Sequence, residues 1–146
     1  MKNNRYSLRV LSQLLSYPDA SLRAQLPALL PVLVEEGALS AARQAELQTL
    51  VTQLLRLDTL DAQARYVETF DRGRATCLHL FEHVHGDSRD RGPALIDLGQ
   101  TYEAAGLILA EGELPDYLPA VLEFVSTQPP GEARAFLAEM GHIFNA

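Results

Sequence analysis

The sequence predicts an all-α protein, a single-domain bundle of about seven or eight helices over residues 1–146. Leucines and other apolar residues recur at three- and four-residue spacing along most of the chain, which is the period of a helix with one buried face. No stretch alternates apolar and polar residues for long enough to predict a strand. No linker or internal repeat divides the chain, and 146 residues are enough to bury one core.

The predicted helices follow one another through short connections. Pro27 and Pro31 remove helical hydrogen bonds, so residues 19–36 are predicted to form a kinked helix or two short ones. Pro115 suits the first turn of a helix, and Glu111-Gly112 is predicted to end the helix before it. The other predicted helices cover residues 4–16, 41–56, 60–70, 74–85, 89–108, 115–127 and 132–144.

The formal charge of −7 is unevenly distributed along the chain. Residues 1–94 hold equal numbers of acids and bases, whereas residues 95–146 hold eight acids and a single base, Arg134. Nucleic-acid binding needs a basic surface, so this composition argues against a nucleic-acid partner. It favours a basic partner, although a solvated acidic face that keeps the protein soluble explains the same pattern.

The sequence indicates a cytoplasmic protein without direct membrane insertion. No run approaches the roughly 18 apolar residues of a membrane span, and the N-terminus lacks the features of a secretory signal. Cys77 is the only cysteine, which fits a reducing compartment.

One short pattern raises the possibility of catalysis. Residues 79–83 match H-x-x-E-H, in which His79 and His83 would share a helix face and hold zinc beside Glu82 as a base. The alternative is two surface or groove-lining histidines, since a third ligand must come from elsewhere. The chain has no phosphate loop or dinucleotide fingerprint. The residues therefore predict a binding protein with no catalytic residues, metal or cofactor.

Two charged knots, residues 71–74 and 87–91, bracket the apolar segment between them. Each knot combines Asp residues, which cap helices, with arginines that can form ion pairs. We expect these pairs to brace helix junctions; direct contact with a partner is the alternative. The arginines are Arg72, Arg74, Arg89 and Arg91, with Asp71, Asp87 and Asp90 as expected partners.

Several segments resemble the NarJ-type chaperones, the delta proteins of respiratory nitrate reductase. They are LLSYPD (14–19), LDTLDAQARY (57–66), the stretch from YVETFDRGRATC to TYEAAGL (66–107) and ELPDYLPAVLEF (113–124). The resemblance covers nearly the whole chain. It implies an all-helical, cytoplasmic member of the molybdoenzyme maturation chaperones, absent from the final enzyme.

The resemblance also implies a client. Such chaperones bind the N-terminal segment of the catalytic alpha subunit in its apo form. They keep that subunit competent for molybdenum cofactor insertion and delay its docking to the membrane. Molybdenum cofactor biosynthesis proteins are further implied partners.

Two departures from the family pattern are visible. Family members usually continue with more helical, acidic sequence, so we expect the natural chain to extend beyond residue 146. Related chaperones often carry His after Pro-Asp in their hinge motif, where this chain has Tyr117. Nucleotide binding suggested for some relatives at that hinge is therefore not expected here.

A basic amphipathic helix needs an apolar groove with acidic edges. Periodicity and charge, rather than the resemblance, predict which residues form it; ordinary core or surface positions are the alternative for each. The predicted lining is Leu98, Tyr102, Tyr117 and Leu122, and the predicted rim is Asp97, Glu103, Glu113, Asp116 and Glu123. Two functions compete with the chaperone: a zinc-dependent hydrolase using His79, Glu82 and His83, and a helical scaffold subunit that stays in its complex.

Overall fold

The computed structural model describes residues 3–145, which form eight α-helices. Strand pairing within these residues is confined to an isolated bridge between His79 and Tyr117. The all-α prediction is therefore confirmed. The helices are α1 (Arg5–Leu14), α2 (Ala20–Glu36), α3 (Ala41–Arg56), α4 (Thr59–Phe70), α5 (Leu80–Val84), α6 (Arg91–Ala104), α7 (Leu118–Ser126) and α8 (Pro130–Phe144). No helix within residues 3–145 is long and apolar enough to cross a membrane.

Helix α7 forms the centre of the main core. Seven of its nine residues are buried, and Glu123 is its exposed charged residue. Burial of each large aliphatic side chain contributes about 1.5–3 kcal/mol, so this short helix organises its neighbours. The buried apolar residues of this core are Leu8, Leu80, Leu98, Tyr102, Val121, Leu122, Phe124, Val125, Ala133 and Ile143.

A second, smaller core joins α2 to α3. It consists of Leu22, Leu26 and Val51, with partly buried leucines packed around them. The Arg23 guanidinium extends from α2 and donates to the carbonyl oxygens of Leu54, at 2.9 Å, and Leu57. These carbonyls lie at the C-terminal end of α3, where helical donors are missing. Arg23 therefore fixes the end of α3 against α2.

Helix α2 is continuous despite its two prolines. Pro27 and Pro31 lie one turn apart on an exposed face. Because this face is solvated, the carbonyl groups that lose their helical donors can bind water instead. The alternative of two short helices over residues 19–36 is therefore wrong.

The helix predicted over residues 74–85 is mostly absent. Residues 71–79 form turns and extended backbone, and α5 begins only at Leu80. The cause is pairing with a distant segment. The Leu80 N–H donates to the Asp116 carbonyl oxygen at 3.0 Å, and the Leu118 N–H donates to that of Leu78 at 2.8 Å. Local periodicity carries no signal for such a contact.

The predicted boundaries around residues 105–117 also need correction. Helix α6 ends at Ala104 because Gly106, with φ of 82°, adopts a left-handed conformation. The N–H groups of Gly106 and Leu107 then return to the carbonyls of Glu103 and Tyr102, at 3.0 and 2.9 Å, which terminates the helix. Pro119, not Pro115, occupies the first turn of α7.

The N-terminus of α1 is capped by a side chain from the end of α2. The Glu36 carboxylate accepts from the backbone N–H groups of Tyr6, at 2.9 Å, and Ser7, at 2.8 Å. Burial alone would raise the pKa of Glu36, but the hydrogen bonds from Ser7 and Tyr6 lower it below its ordinary value of 4.5. The cap thus joins the two cores.

The knot arginines form three ion pairs, only one of them with a predicted partner. Arg74 pairs with Asp87 at 3.1 Å, as predicted, whereas Arg72 pairs with Glu68 at 3.3 Å; all four side chains are exposed. Arg91 pairs with Glu82 at 2.7 Å, and both side chains are about three-quarters buried. No ion pair of Arg89 is found within residues 3–145. Only the Arg91 pair is sheltered enough to brace helices α5 and α6 strongly.

We expect Glu36→Gln to lower the melting temperature at pH 7, because the neutral amide binds the helix terminus less strongly than the carboxylate. A carboxylate with a lowered folded-state pKa stabilises the protein above its unfolded pKa, and this contribution is lost as the pH falls. The difference between wild type and variant should therefore narrow below pH 4.5. Thermal melts from pH 7 to pH 3 measure it, and a constant difference would contradict the cap.

Arg91→Ala should destabilise the fold by about 1–3 kcal/mol, since it leaves the largely buried Glu82 carboxylate without its partner. The matched control is Arg89→Ala, an exposed position in the same knot, where we expect a change within about 0.5 kcal/mol. Urea unfolding of both variants tests this. Equal losses would show that the knot acts through its overall charge.

Candidate functional site

An apolar groove with a volume of about 560 Å³ opens beside the main core. Helices α1, α7 and α8 contribute most of its surface, and residues 75–78 form another wall. Within residues 3–145 its polar lining consists of Thr76, Cys77 and His83. The groove can therefore accept apolar side chains, with little hydrogen bonding to offer them. The apolar lining comprises Leu8, Leu11, Leu15, Ala75, Leu78, Leu80, Leu118, Leu122, Leu137, Ile143 and Phe144.

The wall of residues 75–78 belongs to a loop that side-chain and backbone hydrogen bonds hold in place. His83 Nε2 lies 2.8 Å from the Cys77 carbonyl oxygen, close enough for the ring N–H to donate. The Thr76 hydroxyl donates to the Thr69 carbonyl oxygen. Residues 71–76 are exposed. His83 therefore positions this wall from inside the groove.

A pair of tyrosine hydroxyls links the groove to α4. The Tyr66 hydroxyl donates to the Leu15 carbonyl oxygen at 2.7 Å and lies 2.5 Å from the Tyr117 hydroxyl. Because the Tyr66 proton is used on Leu15, Tyr117 is the donor between the two phenols. Burial, followed by the hydrogen bond to Tyr117, raises the pKa of Tyr66, and burial also raises that of Tyr117. Both phenols therefore stay protonated at neutral pH.

Aromatic packing brings three of the segments that carry the family resemblance to one place. The Tyr66 ring meets Tyr17 edge-on, with centroids 5.6 Å apart, and Phe70 at 4.9 Å. The His79 ring stacks on Tyr117 at 5.2 Å. The segments LLSYPD, YVETF and ELPDYLP, which are distant in sequence, thus converge beside the groove.

Asp116 is a buried structural residue. Its side chain is 0% exposed, and one carboxylate oxygen accepts from the Phe81 N–H at 3.0 Å. The other oxygen has no partner within residues 3–145. Asp116 therefore holds the start of α5 against the start of α7 and does not present a charge to a partner.

The structure buries two of the four residues that were predicted to line the groove. Leu98 and Tyr102 lie inside the main core, and the Tyr102 hydroxyl donates to the Pro115 carbonyl oxygen at 2.7 Å. Apolar side chains from α7 and α8 cover them, so they line no open groove in this conformation. Leu122 reaches the 560 Å³ groove, and half-buried Tyr117 lies against the adjacent aromatic cluster.

The predicted acidic rim does not surround the groove. Asp97, Glu103 and Glu123 are exposed, Glu113 is half-buried and Asp116 is buried. None of these five residues lines the groove. Whether any of them touches a peptide stays a prediction.

Sequence reasoning missed the α1 and α8 walls of the groove. Leu8, Leu11 and Leu15 lie at helical spacing and form an apolar stripe, but a stripe does not show which part of it stays open. Leu137, Ile143 and Phe144 are likewise periodic positions of the last helix. Only the packing of α1 and α8 against α7 decides which of their residues lie in the core and which line the groove.

The zinc interpretation depends on a helix that is not formed. His79 precedes α5 in extended backbone, so it does not share a helix face with His83. The His83 ring nitrogen faces the Cys77 carbonyl, and the His79 ring is stacked on Tyr117. Within residues 3–145 no group of three or more His, Cys, Asp or Glu residues is placed to hold a metal ion.

Comparison with known proteins assigns most of this architecture to one family. The family model described as nitrate reductase delta subunit matches residues 36–142. This range contains the groove wall of residues 75–78, the aromatic cluster except Tyr17, and helices α3 to α7, together with most of α8.

Two curated relatives and one solved structure extend the comparison. The nitrate reductase molybdenum cofactor assembly chaperone NarJ of Escherichia coli (strain K12) is 45% identical over 136 residues, covering 93% of this chain and 58% of the relative. A Bacillus subtilis (strain 168) protein named as a probable NarJ chaperone is 35% identical over 133 residues, covering 91% of this chain and 71% of its own. The chain thus spans just over half the length of E. coli NarJ.

The solved structure comes from Archaeoglobus fulgidus and is described as a candidate redox enzyme maturation protein. It has a TM-score of 0.63 at 22% identity and covers 96% of this chain and 82% of its own. At this identity the similarity establishes the fold alone.

Tyr66→Phe should lower the free energy of unfolding by about 1–2 kcal/mol, since it removes both hydrogen bonds of the Tyr66 hydroxyl and leaves the Leu15 carbonyl and the Tyr117 hydroxyl without a partner. Tyr117→Phe should lower the free energy of unfolding by less, because the hydrogen bond from Tyr66 to Leu15 remains. Exposed Tyr6→Phe is the control, with no expected change. Urea denaturation gives the order, and a larger loss for Tyr117→Phe than for Tyr66→Phe would contradict the assigned donors.

Proposed function

Because this chain belongs to the nitrate reductase delta-subunit family, we propose that it is an assembly chaperone that prepares a nitrate reductase for its molybdenum cofactor. The observation that carries this proposal is the 45% identity over 136 residues to E. coli NarJ, which is named for that role. The chaperone acts by binding rather than by catalysis. Its client is the apo form of the catalytic alpha subunit.

The apolar groove is the proposed binding site for the N-terminal segment of that subunit. Its volume of about 560 Å³ lies within the range of roughly 300–1,000 Å³ typical of ligand pockets. An amphipathic helix binds such a groove by inserting apolar side chains spaced three or four residues apart. The nearly complete apolar lining supports this mode of binding.

Binding of this segment explains how one chaperone could control the order of assembly. A segment held in the groove is withheld from other contacts, which delays membrane docking while the subunit stays competent for cofactor insertion. Molybdenum cofactor biosynthesis proteins are then proposed partners of the complex. The cytoplasmic location stays a prediction.

Complementation tests the function directly. The chain is expressed in a strain that lacks its own nitrate reductase chaperones but produces the reductase. We expect recovery of nitrate reduction and of molybdenum in the purified enzyme, with no chaperone remaining in it. A chain that persists at a fixed ratio in the active enzyme would support the scaffold-subunit alternative.

Phe144→Asp should weaken binding of a synthetic peptide from the alpha-subunit N-terminus at least about tenfold, because it places a charge at the mouth of the apolar groove. Phe144 is 45% exposed near the end of α8, so the fold should tolerate the change. Leu60→Asp is the matched control, since Leu60 is 75% exposed and lies outside the groove. Titration calorimetry measures both, and equal affinities would place the peptide elsewhere.

A further inference from the structure

A second, smaller cavity lies among helices α1, α2, α3 and α4. Its volume is about 230 Å³, and Leu15 lines both this cavity and the apolar groove. Its interior is mostly leucine side chains from three helices, closed by Ala62 and Phe70 of α4. The cavity is not part of the proposed client groove, because Leu15 is the one lining residue that the two share within residues 3–145. The leucines that line the interior include Leu14, Leu22, Leu26, Leu50 and Leu54.

The charge in the lining of this cavity is positive. Arg65 is its only charged side chain, and no ion pair of Arg65 is found within residues 3–145. The neighbouring acid one turn later, Glu68, pairs with Arg72 at 3.3 Å. Within residues 3–145 no carboxylate lines the cavity, so Arg65 is an exposed cation at an apolar opening.

The other polar side chains of the cavity differ in whether they already take part in a hydrogen bond. The Ser16 and Thr69 hydroxyls each donate to a backbone carbonyl oxygen, at 2.8 Å. The Tyr66 hydroxyl is occupied by Leu15 and Tyr117, as described above. The amides of Gln13 and Gln53 have no side-chain hydrogen bond within residues 3–145, so they can donate to a ligand in the same cavity.

The volume limits the size of the ligand. A cavity of about 150 Å³ lined by apolar side chains holds benzene, whereas drug-sized ligands need roughly 300 Å³ or more. At about 230 Å³, this cavity fits one aromatic ring or a short aliphatic chain, with a small polar head at its mouth.

Charge selects the head group. A guanidinium binds a carboxylate through charge-assisted hydrogen bonds, repels an ammonium, and gains little from a neutral hydroxyl. We propose that this cavity binds a small monocarboxylic acid whose tail is one aromatic ring or a short aliphatic chain. The tail lies among the leucines, and the carboxylate binds Arg65 with support from the amides of Gln13 and Gln53. This site does not depend on the proposed chaperone function.

Three probes of one shape test the ligand class on the intact protein. They are 3-phenylpropanoate, the neutral 3-phenylpropan-1-ol and the cationic 3-phenylpropylamine, each titrated by calorimetry and by amide chemical shifts. We expect the acid to bind about tenfold more tightly than the alcohol, as one charge-assisted contact provides, and the amine to bind most weakly. Equal affinities for acid and alcohol, or absence of binding by the acid, would overturn the proposal.

Substitutions test whether the acid binds in this cavity. Arg65→Gln should lower the affinity for the acid about tenfold and change the affinity for the alcohol by less than about twofold. Arg56 is an exposed arginine outside the cavity, so Arg56→Gln should change neither affinity. Leu50→Gln at the half-exposed rim should weaken acid and alcohol alike. Phe144→Asp in the client groove should leave both unchanged. If Arg56→Gln acts like Arg65→Gln, the acid responds to overall charge and the proposed site is wrong.

Discussion

The pairing of residues 78–80 with residues 116–118 is the constraint on which the site depends. Two backbone hydrogen bonds join these segments, and the buried Asp116 carboxylate adds a third contact to the Phe81 N–H. Together they hold the groove wall and the start of α5 against the start of α7. Without them the apolar wall would have no fixed position relative to α1 and α8, and the groove would have no defined shape.

Two polar contacts, one buried and one partly buried, attach α1 to α7. The Ser12 hydroxyl donates to the Pro119 carbonyl oxygen at 2.7 Å in a buried position, and Arg5 donates to the Ser126 carbonyl oxygen at 3.2 Å. An unmade buried hydrogen bond costs more than a made one contributes. These contacts therefore specify one register of α1 on α7, which apolar packing alone would leave less sharply defined.

The two cavities lie on either side of a shared structural element. Leu15 lines both, and its carbonyl oxygen is held by Tyr66, whose hydroxyl also contacts Tyr117 beside the groove wall. A rigid element of this kind can serve two binding sites without a large movement of the chain. One of these sites is the proposed client groove, and the other is the proposed site for a small acid.

Local sequence determined the all-α class, the helices α1 to α4 within a few residues, and the segments that carry the family resemblance. Capping and periodicity are properties of neighbouring residues, so they can be seen without the fold. Tertiary structure alone decided that Leu98, Tyr102 and Asp116 are buried and that Leu11 and Phe144 line the groove. A helical stripe shows which face is apolar, but only long-range packing decides which part of it a neighbour covers.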